Sequence, residues 1–377
     1  MDDVEFIDYV ENWGTFYPAT KKTKKSSSDG HRSQLQDAVK EMPKSLSSVM
    51  QLVKLDMDEG RAFSARQVLA NTFEHHHRKE EFWLAAVRLE IEQKEYARAE
   101  ALLQKAIKLC PTPAVYEAYI KWGEESGIYR FRITEAYKAF PEHTGFYVLE
   151  AQIMMEADRS FAAMIVCDNG RKIDDNCLDL WILQGQSEKY GFSLEKAAKI
   201  FEEDEKAWIA LINRHPQKAR KNIKKALKLA LNKGAICAKS IQLAISDTPP
   251  TKHNKTIIRS ELLNMSIAAF PDSAEVHLEM AKFRASSQWN AEAREHIEKA
   301  IALNPRFGDA WAYYFLLERS IGSRSNVEKV IREFKKADPN TGELWEEVIN
   351  KPSMWKSTRL EVLLAVVEKT KEVLKNY

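Results

Sequence analysis

Apolar residues recur at helical spacing along most of the chain. The pattern begins near Leu35 and firms from Ser45. SLSSVMQLVKLDMDEG places Leu46, Val49, Met50 and Val53 on one face, with Leu52 beside them, as in an amphipathic helix. Gly60 marks a stop, and RAFSARQVLANTFEHH supplies a second helix with Ala65, Leu69 and Phe73 four apart. The two read as one helical hairpin. The next is clearer: Trp83, Val87 and Glu90 lie on a first helix, and Ala99, Leu103, Ala106 and Pro111 on or just after a second. Measured from the tryptophan, their offsets are 4, 7, 16, 20, 23 and 28. His277 heads a unit with Ala281, Ala293, Ile297, Ala300 and Pro305 at matching offsets, and Trp311 heads one with Phe315, Glu318, Ile331 and Pro339. A large first-helix ring fills the groove between the hairpin arms, and small alanines let helices approach closely. Proline cannot continue the second helix and turns the chain into the next unit.

Pro271, Pro305 and Pro339 are spaced by 34, as are His277, Trp311 and Trp345. That period resembles the tetratricopeptide unit, whose hairpins bury their apolar faces mainly against one another. The resemblance implies an all-α fold, a right-handed α-solenoid of helical hairpins. Tyr116 (with Ile133 and Ala136), Tyr147 (with Ala163 and Cys167) and Trp181 (with Gly185, Ala197 and Phe201) head further units. The first-helix aromatics from Trp83 to Trp181 are therefore spaced 33, 31 and 34. Residues 208–270 fit least well. KAWIALINRHPQKARKNIKKALKLALNKG reads as a helical stretch with Ala219, Ile223, Ala226, Leu227, Ala230 and Leu231 as its stripe. Asp247 to Lys255 reads as an exposed loop. In the last helix, Ser357 is the expected N-cap and Leu360, Leu363, Leu364 and Val367 face inward. The expected organisation is a largely disordered arm at 1–44 and repeats at 45–207. Irregular basic repeats follow at 208–270, C-terminal repeats at 271–356 and a capping helix at 357–377.

Composition agrees with a helical scaffold. Of 377 residues, 30% are charged and 44% hydrophobic, and 13 Gly with 12 Pro are few for a fold rich in tight turns. A net charge of +2 confines any nucleic-acid role to a local patch. Cys110, Cys167, Cys177 and Cys237 form no CxxC pair and read as reduced thiols. No apolar run reaches a membrane span, and the acidic start does not look like a secretory signal.

Two surfaces stand out. Phe6, Tyr9, Trp13, Phe16 and Tyr17 load a short acidic segment with rings. It reads as a linear docking motif, or as a segment that packs on the first repeats or is simply disordered. Lys21, Lys22, Lys24 and Lys25 follow, as a nuclear import patch or a solvated linker. The second surface is the basic face of residues 214–233: Arg214, Lys218, Arg220, Lys221, Lys224, Lys225, Lys228 and Lys233, with no intervening acid. It suits RNA phosphates, an acidic partner surface or plain solvation. The helix carries no interleaved exposed aromatics, which argues against base stacking on it.

Catalytic patterns are not found. There is no phosphate loop, no GxGxxG turn, no HExxH and no paired Cys/His zinc spacing. His75, His76 and His77 are adjacent, so on a helix they point about 100° apart and cannot converge on one metal. The expectation is a non-enzyme without cofactor, small-molecule substrate or membrane partner.

GDAWA (Gly308 to Ala312), Glu318, Asp338–Pro339, GELW (Gly342 to Trp345), Val348, Lys351 and Trp355 occur in that order. This resembles the C-terminal end of the pre-mRNA-processing factor six family, built of half-a-tetratricopeptide (HAT) and related repeats. The resemblance is specific over 272–356 and repeat-level over 45–271. It implies a nuclear splicing scaffold that bridges the U5 and U4/U6 particles of the tri-snRNP. No catalytic residues come with it, only packing positions: Trp311, Glu318, Pro339, Trp345 and Trp355. Family members are usually more than twice this length, so the chain would be a shortened member. Two alternatives stay open. One is another HAT-repeat RNA-processing scaffold, of the crooked-neck-like or cleavage-stimulation type. The other is a tetratricopeptide adaptor that grips a peptide carboxylate. For the latter, the expected Lys and Asn positions hold Leu84 and Arg88, Leu278 and Lys282, or Ala312 and Leu316.

Overall fold

The computed structural model describes residues 28–123, 128–246 and 252–375. Among these the secondary structure is helical, apart from an isolated bridge between Phe307 and Thr341. The chain divides into two compact units, one of Met1–Pro141 with Lys356–Thr358 and one of Glu142–Trp355 with Arg359–Tyr377. Both are stacks of antiparallel hairpins, the α-solenoid expected from the offsets.

Unit one holds α1 (Ser28–Glu41), α2 (Leu46–Asp58), α3 (Ala62–His76), α4 (Glu80–Glu92), α5 (Tyr96–Leu109), α6 (Pro113–Trp122) and α7 (Tyr129–Ala139). Unit two opens with α8 (Gly145–Glu156), α9 (Ser160–Ile173), α10 (Leu178–Ser187), α11 (Phe192–Ile200), α12 (Glu205–Arg214) and α13 (Ala219–Leu229). It continues with α14 (Lys233–Ser246), α15 (Lys252–Ala269), α16 (Ala274–Ser286), α17 (Asn290–Leu303), α18 (Gly308–Ile321) and α19 (Arg324–Ala337). The short α20 (Glu343–Ile349) and the long α21 (Arg359–Lys375) complete it. Ser45, Thr112, Asp204, Ser273 and Ser323 each cap the following helix by accepting a backbone N–H.

One device recurs at the first helices. The indole Nε1–H of Trp83, Trp181, Trp208 and Trp311 donates to the carbonyl six residues upstream (His77, Asp175, Glu202 and Pro305) at 2.7–2.8 Å. His277 stands at the same position and reaches the Pro271 carbonyl through Nε2 at 2.9 Å. The ring thus closes the turn that delivers its helix and fixes how deep that helix sits. Trp345 departs from the pattern: its Nε1 is buried with no partner among the described residues.

A second device joins successive hairpins. Arg66 on α3 makes a bidentate pair with Glu90 on α4 at 2.8 and 2.7 Å, both side chains buried. Arg294 on α17 meets Glu318 on α18 at 2.5 Å, and Arg32 on α1 meets Asp56 on α2 at 2.6 Å. Each pair is 24 residues apart in sequence. The acids lie seven residues after the first-helix packing positions Val49, Trp83 and Trp311.

That geometry moves the start of the array. Arg32 places α1 where the second helix of a preceding hairpin would lie, and Leu35 is buried. The expected arm at 1–44 therefore yields residues 28–41 to the solenoid. The other differences have equally local causes. The basic stretch is not one helix: it breaks after Arg214 and again at Ala230. Leu231 therefore leaves the stripe and is 77% exposed. Residues 252–255 belong to α15 rather than to a loop, and 247–251 lie outside the described residues. The last helix starts at Arg359, one residue later than a Ser357 cap would place it. Its buried apolar residues are Val362, Leu363, Val366 and Val367, while Leu364 points to solvent. The division between units falls at Pro141.

His277 also faces His296, with 3.0 Å between the two Nδ1 atoms and the rings stacked. Because His277 Nε2–H donates to a carbonyl, its Nδ1 is bare and accepts from Nδ1–H of His296. Both rings are then neutral. Burial lowers both groups, and the charges of Arg284 and Lys299 help bring His296 to about 4. The folded form therefore binds fewer protons than the unfolded one. Its contribution is complete above the ordinary histidine pKa, about 6.5, and is lost as pH falls toward 4. Chemical denaturation of wild type and His296→Gln across that window should show a steeper acid loss in wild type. Separately, Trp311→Phe strands the Pro305 carbonyl, whereas Trp345→Phe removes a donor that had no partner. Trp311→Phe should be the more destabilising by about 1–2 kcal/mol in the same assay.

Candidate functional site

The GDAWA and GELW segments meet in space. A Cβ on Gly308 would lie 2.2 Å from the Trp345 ring, and one on Gly342 would lie 2.5 Å from Asp309 Oδ1. Gly342 also holds a φ of +129°, which glycine alone adopts readily. Asp309 is buried, and its carboxylate accepts the backbone N–H groups of Leu344 at 3.1 Å and Trp345 at 2.7 Å. It thus caps α20 from a helix 35 residues earlier. Burial pushes this carboxyl up to about 6, against the pull of the two amide donors. The Gly308 amide donates to the Thr341 carbonyl at 2.7 Å and completes the clamp.

Held this way, α20 meets much earlier helices of unit two. Glu346 pairs with Lys206 of α12 at 2.9 Å. Glu343 pairs with Lys239 of α14 at 2.7 Å and accepts from Asn213 Nδ2 at 3.0 Å. Just beyond α20, the Ser353 amide and hydroxyl donate to Glu156 of α8 at 3.0 and 2.5 Å. Burial alone would lower the Lys206 ammonium, yet the Glu346 hydrogen bond and charge lift it above its ordinary value. These pairs are partly exposed, so each stabilises by about 0–1 kcal/mol and weakens with salt.

Lys206, Lys239 and the basic face belong to one stretch, because no acid occurs between Glu205 and Asp247. The fold splits these cations into two sets. Lys206 and Lys239 face α20. Lys218 pairs with Glu195 at 3.0 Å and, by that hydrogen bond, holds the Glu195 carboxyl below its ordinary value. Arg214 donates to the Glu188 and Lys189 carbonyls. Lys221, Lys224, Lys225 and Lys228 are exposed along α13, line one open cleft, and have no ion pair among the described residues. The Arg220 side chain lies outside those described.

The sequence-derived packing residues occupy the interior. Trp83, Ala99, Leu103, Ala106, Tyr116, Trp181, Ala293, Ile297, Ala300, Trp311, Glu318 and Trp345 are all buried. Tyr147 is only half-buried, and its neighbour Phe146 fills the interior instead. Trp355 is likewise half-buried, in the turn before α21. Phe6, Tyr9, Trp13, Phe16 and Tyr17 lie outside the described residues. Sequence reasoning missed Trp208, which heads a unit only 27 residues after Trp181. The long-range roles of Lys206, Asn213, Lys239 and Asp309 left no local signal.

Among the described residues no three His, Cys, Asp or Glu side chains are grouped to hold a metal ion. Cys110 and Cys167 are buried, and burial pushes the Cys167 thiol up to about 12, far from a reactive thiolate. No described helix is long and apolar enough to cross a membrane.

A tetratricopeptide repeat model matches residues 80–122. Those residues form a tetratricopeptide-type repeat within the all-helical solenoid. Pre-mRNA-processing factor 6 of Homo sapiens and that of Pongo abelii are each 29% identical to it over 96 residues. That match covers 26% of this chain and 10% of theirs, so the chain spans about a tenth of the length of these curated relatives. Among solved structures, a chain from the crystal structure of the APC/C hetero-tetramer Cut9–Hcn1 aligns with 88% of this chain and 67% of that one. Its TM-score is 0.33, with 12% identity.

Replacing Glu343 and Glu346 by Lys should free the α12 and α14 contacts while Asp309 still holds the start of α20. Hydrogen exchange should quicken around residues 206–213 and 343–349, with a melting temperature close to wild type.

Proposed function

We propose that the chain is a non-catalytic scaffold of pre-mRNA splicing. It bridges proteins of the U5 and U4/U6 particles in the tri-snRNP and works in the nucleus. The observation that carries this reading is the 29% identity with Pre-mRNA-processing factor 6. The order of GDAWA and GELW supports it, because those residues build one clamp: Gly308, Asp309, Gly342 and Trp345 together place α20.

The mode of action is protein–protein contact. Helical hairpins stacked in register offer a long surface of first helices, and partners bind side chains that the packed interior holds still. The docking of α20 across α12 and α14 shows within this chain how an acidic helix sits on that surface. Affinity purification of the tagged chain from its native cells, with mass spectrometry and small-RNA sequencing, tests the reading. Splicing proteins and small nuclear RNAs are the expected recoveries. Recovery of neither would overturn it in favour of another scaffold role.

A further inference from the structure

The turns between first and second helices in unit two carry exposed rings. Tyr190 is 60% and Phe192 62% exposed. They flank Gly191, whose φ of +61° belongs to the left-handed region and turns the chain sharply between them. Their ring centroids lie 5.8 Å apart. The Lys189 ammonium sits 5.4 Å from the Tyr190 centroid. In the corresponding turn of the preceding hairpin, Phe161 is 75% exposed. Most of each ring faces solvent.

The same turn is tied to the start of the basic helix. Arg214 donates to the Glu188 and Lys189 carbonyls at 2.5 and 3.1 Å. A Cβ on Gly191 would come within 3.0 Å of Arg214 and 3.4 Å of His215. Lys218 reaches Glu195 in the first turn of α11, directly after Phe192. From there Lys221, Lys224, Lys225 and Lys228 continue along α13 at helical spacing, on one face. The nearby carboxylates are engaged: Glu188 accepts from Ser193, and Glu195 from Lys218. The aromatics absent from the basic helix are therefore supplied by the hairpin before it.

We propose that this edge binds single-stranded nucleic acid, with phosphates along the four lysines and bases stacked on Tyr190 and Phe192. Ring stacking tolerates any base because every base has a π-face, and a comb of ammonium groups follows a flexible backbone. A duplex keeps its bases stacked inside and offers the rings nothing.

Fluorescence anisotropy of a short labelled oligouridylate against the full chain tests this, with thermal melts as folding controls. The double variant Tyr190→Ala, Phe192→Ala should weaken binding by about 5-fold or more per stacked base, with the salt dependence kept. The double variant Tyr190→Trp, Phe192→Trp should retain binding. Charge reversal of Lys221, Lys224, Lys225 and Lys228 should abolish it or lower the slope of log K against log salt by about 3. The proposal is overturned by no retention of oligouridylate at low salt, by unchanged affinity in the alanine variant, or by equal affinity for duplex RNA. Displacement by polyglutamate as readily as by unlabelled oligouridylate would also overturn it and assign the face to an acidic protein.

Discussion

A buried carboxylate on one hairpin, held by an arginine from the hairpin before it, sets the register at three junctions of this array. Glu90, Glu318 and Asp56 each lie where an apolar side chain would otherwise complete the packing. A carboxylate there is tolerable only if a guanidinium arrives in the correct place. The 24-residue separation of each pair means that the second helix of one unit and the first of the next must settle at one depth and one rotation. The indole and imidazole bonds to the carbonyl six residues upstream fix the turn that comes between. Alanines at the close approaches then let the helices meet, and the large rings fill what remains.

Function follows from that register through the surfaces it lines up. Once the hairpins are fixed, first helices from α8 to α14 form one face and their turns form an edge. The long acid-free stretch from residue 206 to 246 crosses both. Its charges would repel one another if nothing answered them. On the face, the chain answers with Glu343 and Glu346 of its own α20. Along the edge and on α13, four lysines remain for something else. The division arises because the Asp309 clamp can present α20 to one side only.

Much of this was legible beforehand, and the limits are instructive. The hairpins, their alanines and most of their rings followed from offsets, because neighbouring units solve the same packing problem with the same residues. GDAWA and GELW stood out in order, although their meeting in space did not. Trp208 escaped because α11 has only nine residues, so its unit is shortened and a search at a 34-residue period steps over it. Leu231 fitted the stripe in sequence but left it in space, since the helix ends at Leu229. Lys206 and Lys239 looked like ordinary charges of a basic run, and partners more than 100 residues away carry no sequence period. The rings before the basic helix were invisible for a related reason: Tyr190 and Phe192 belong to the previous hairpin, and only the stacking of hairpins ties their turn to Arg214.

The claim that these buried pairs govern the register can be tested at Arg66 and Glu90. A double-mutant cycle with Arg66→Met and Glu90→Leu, followed by chemical denaturation, isolates their coupling. Either single change should cost about 3–5 kcal/mol, by stranding a buried charge, and the pair together far less. Additive single effects, with no coupling between the two residues, would contradict it.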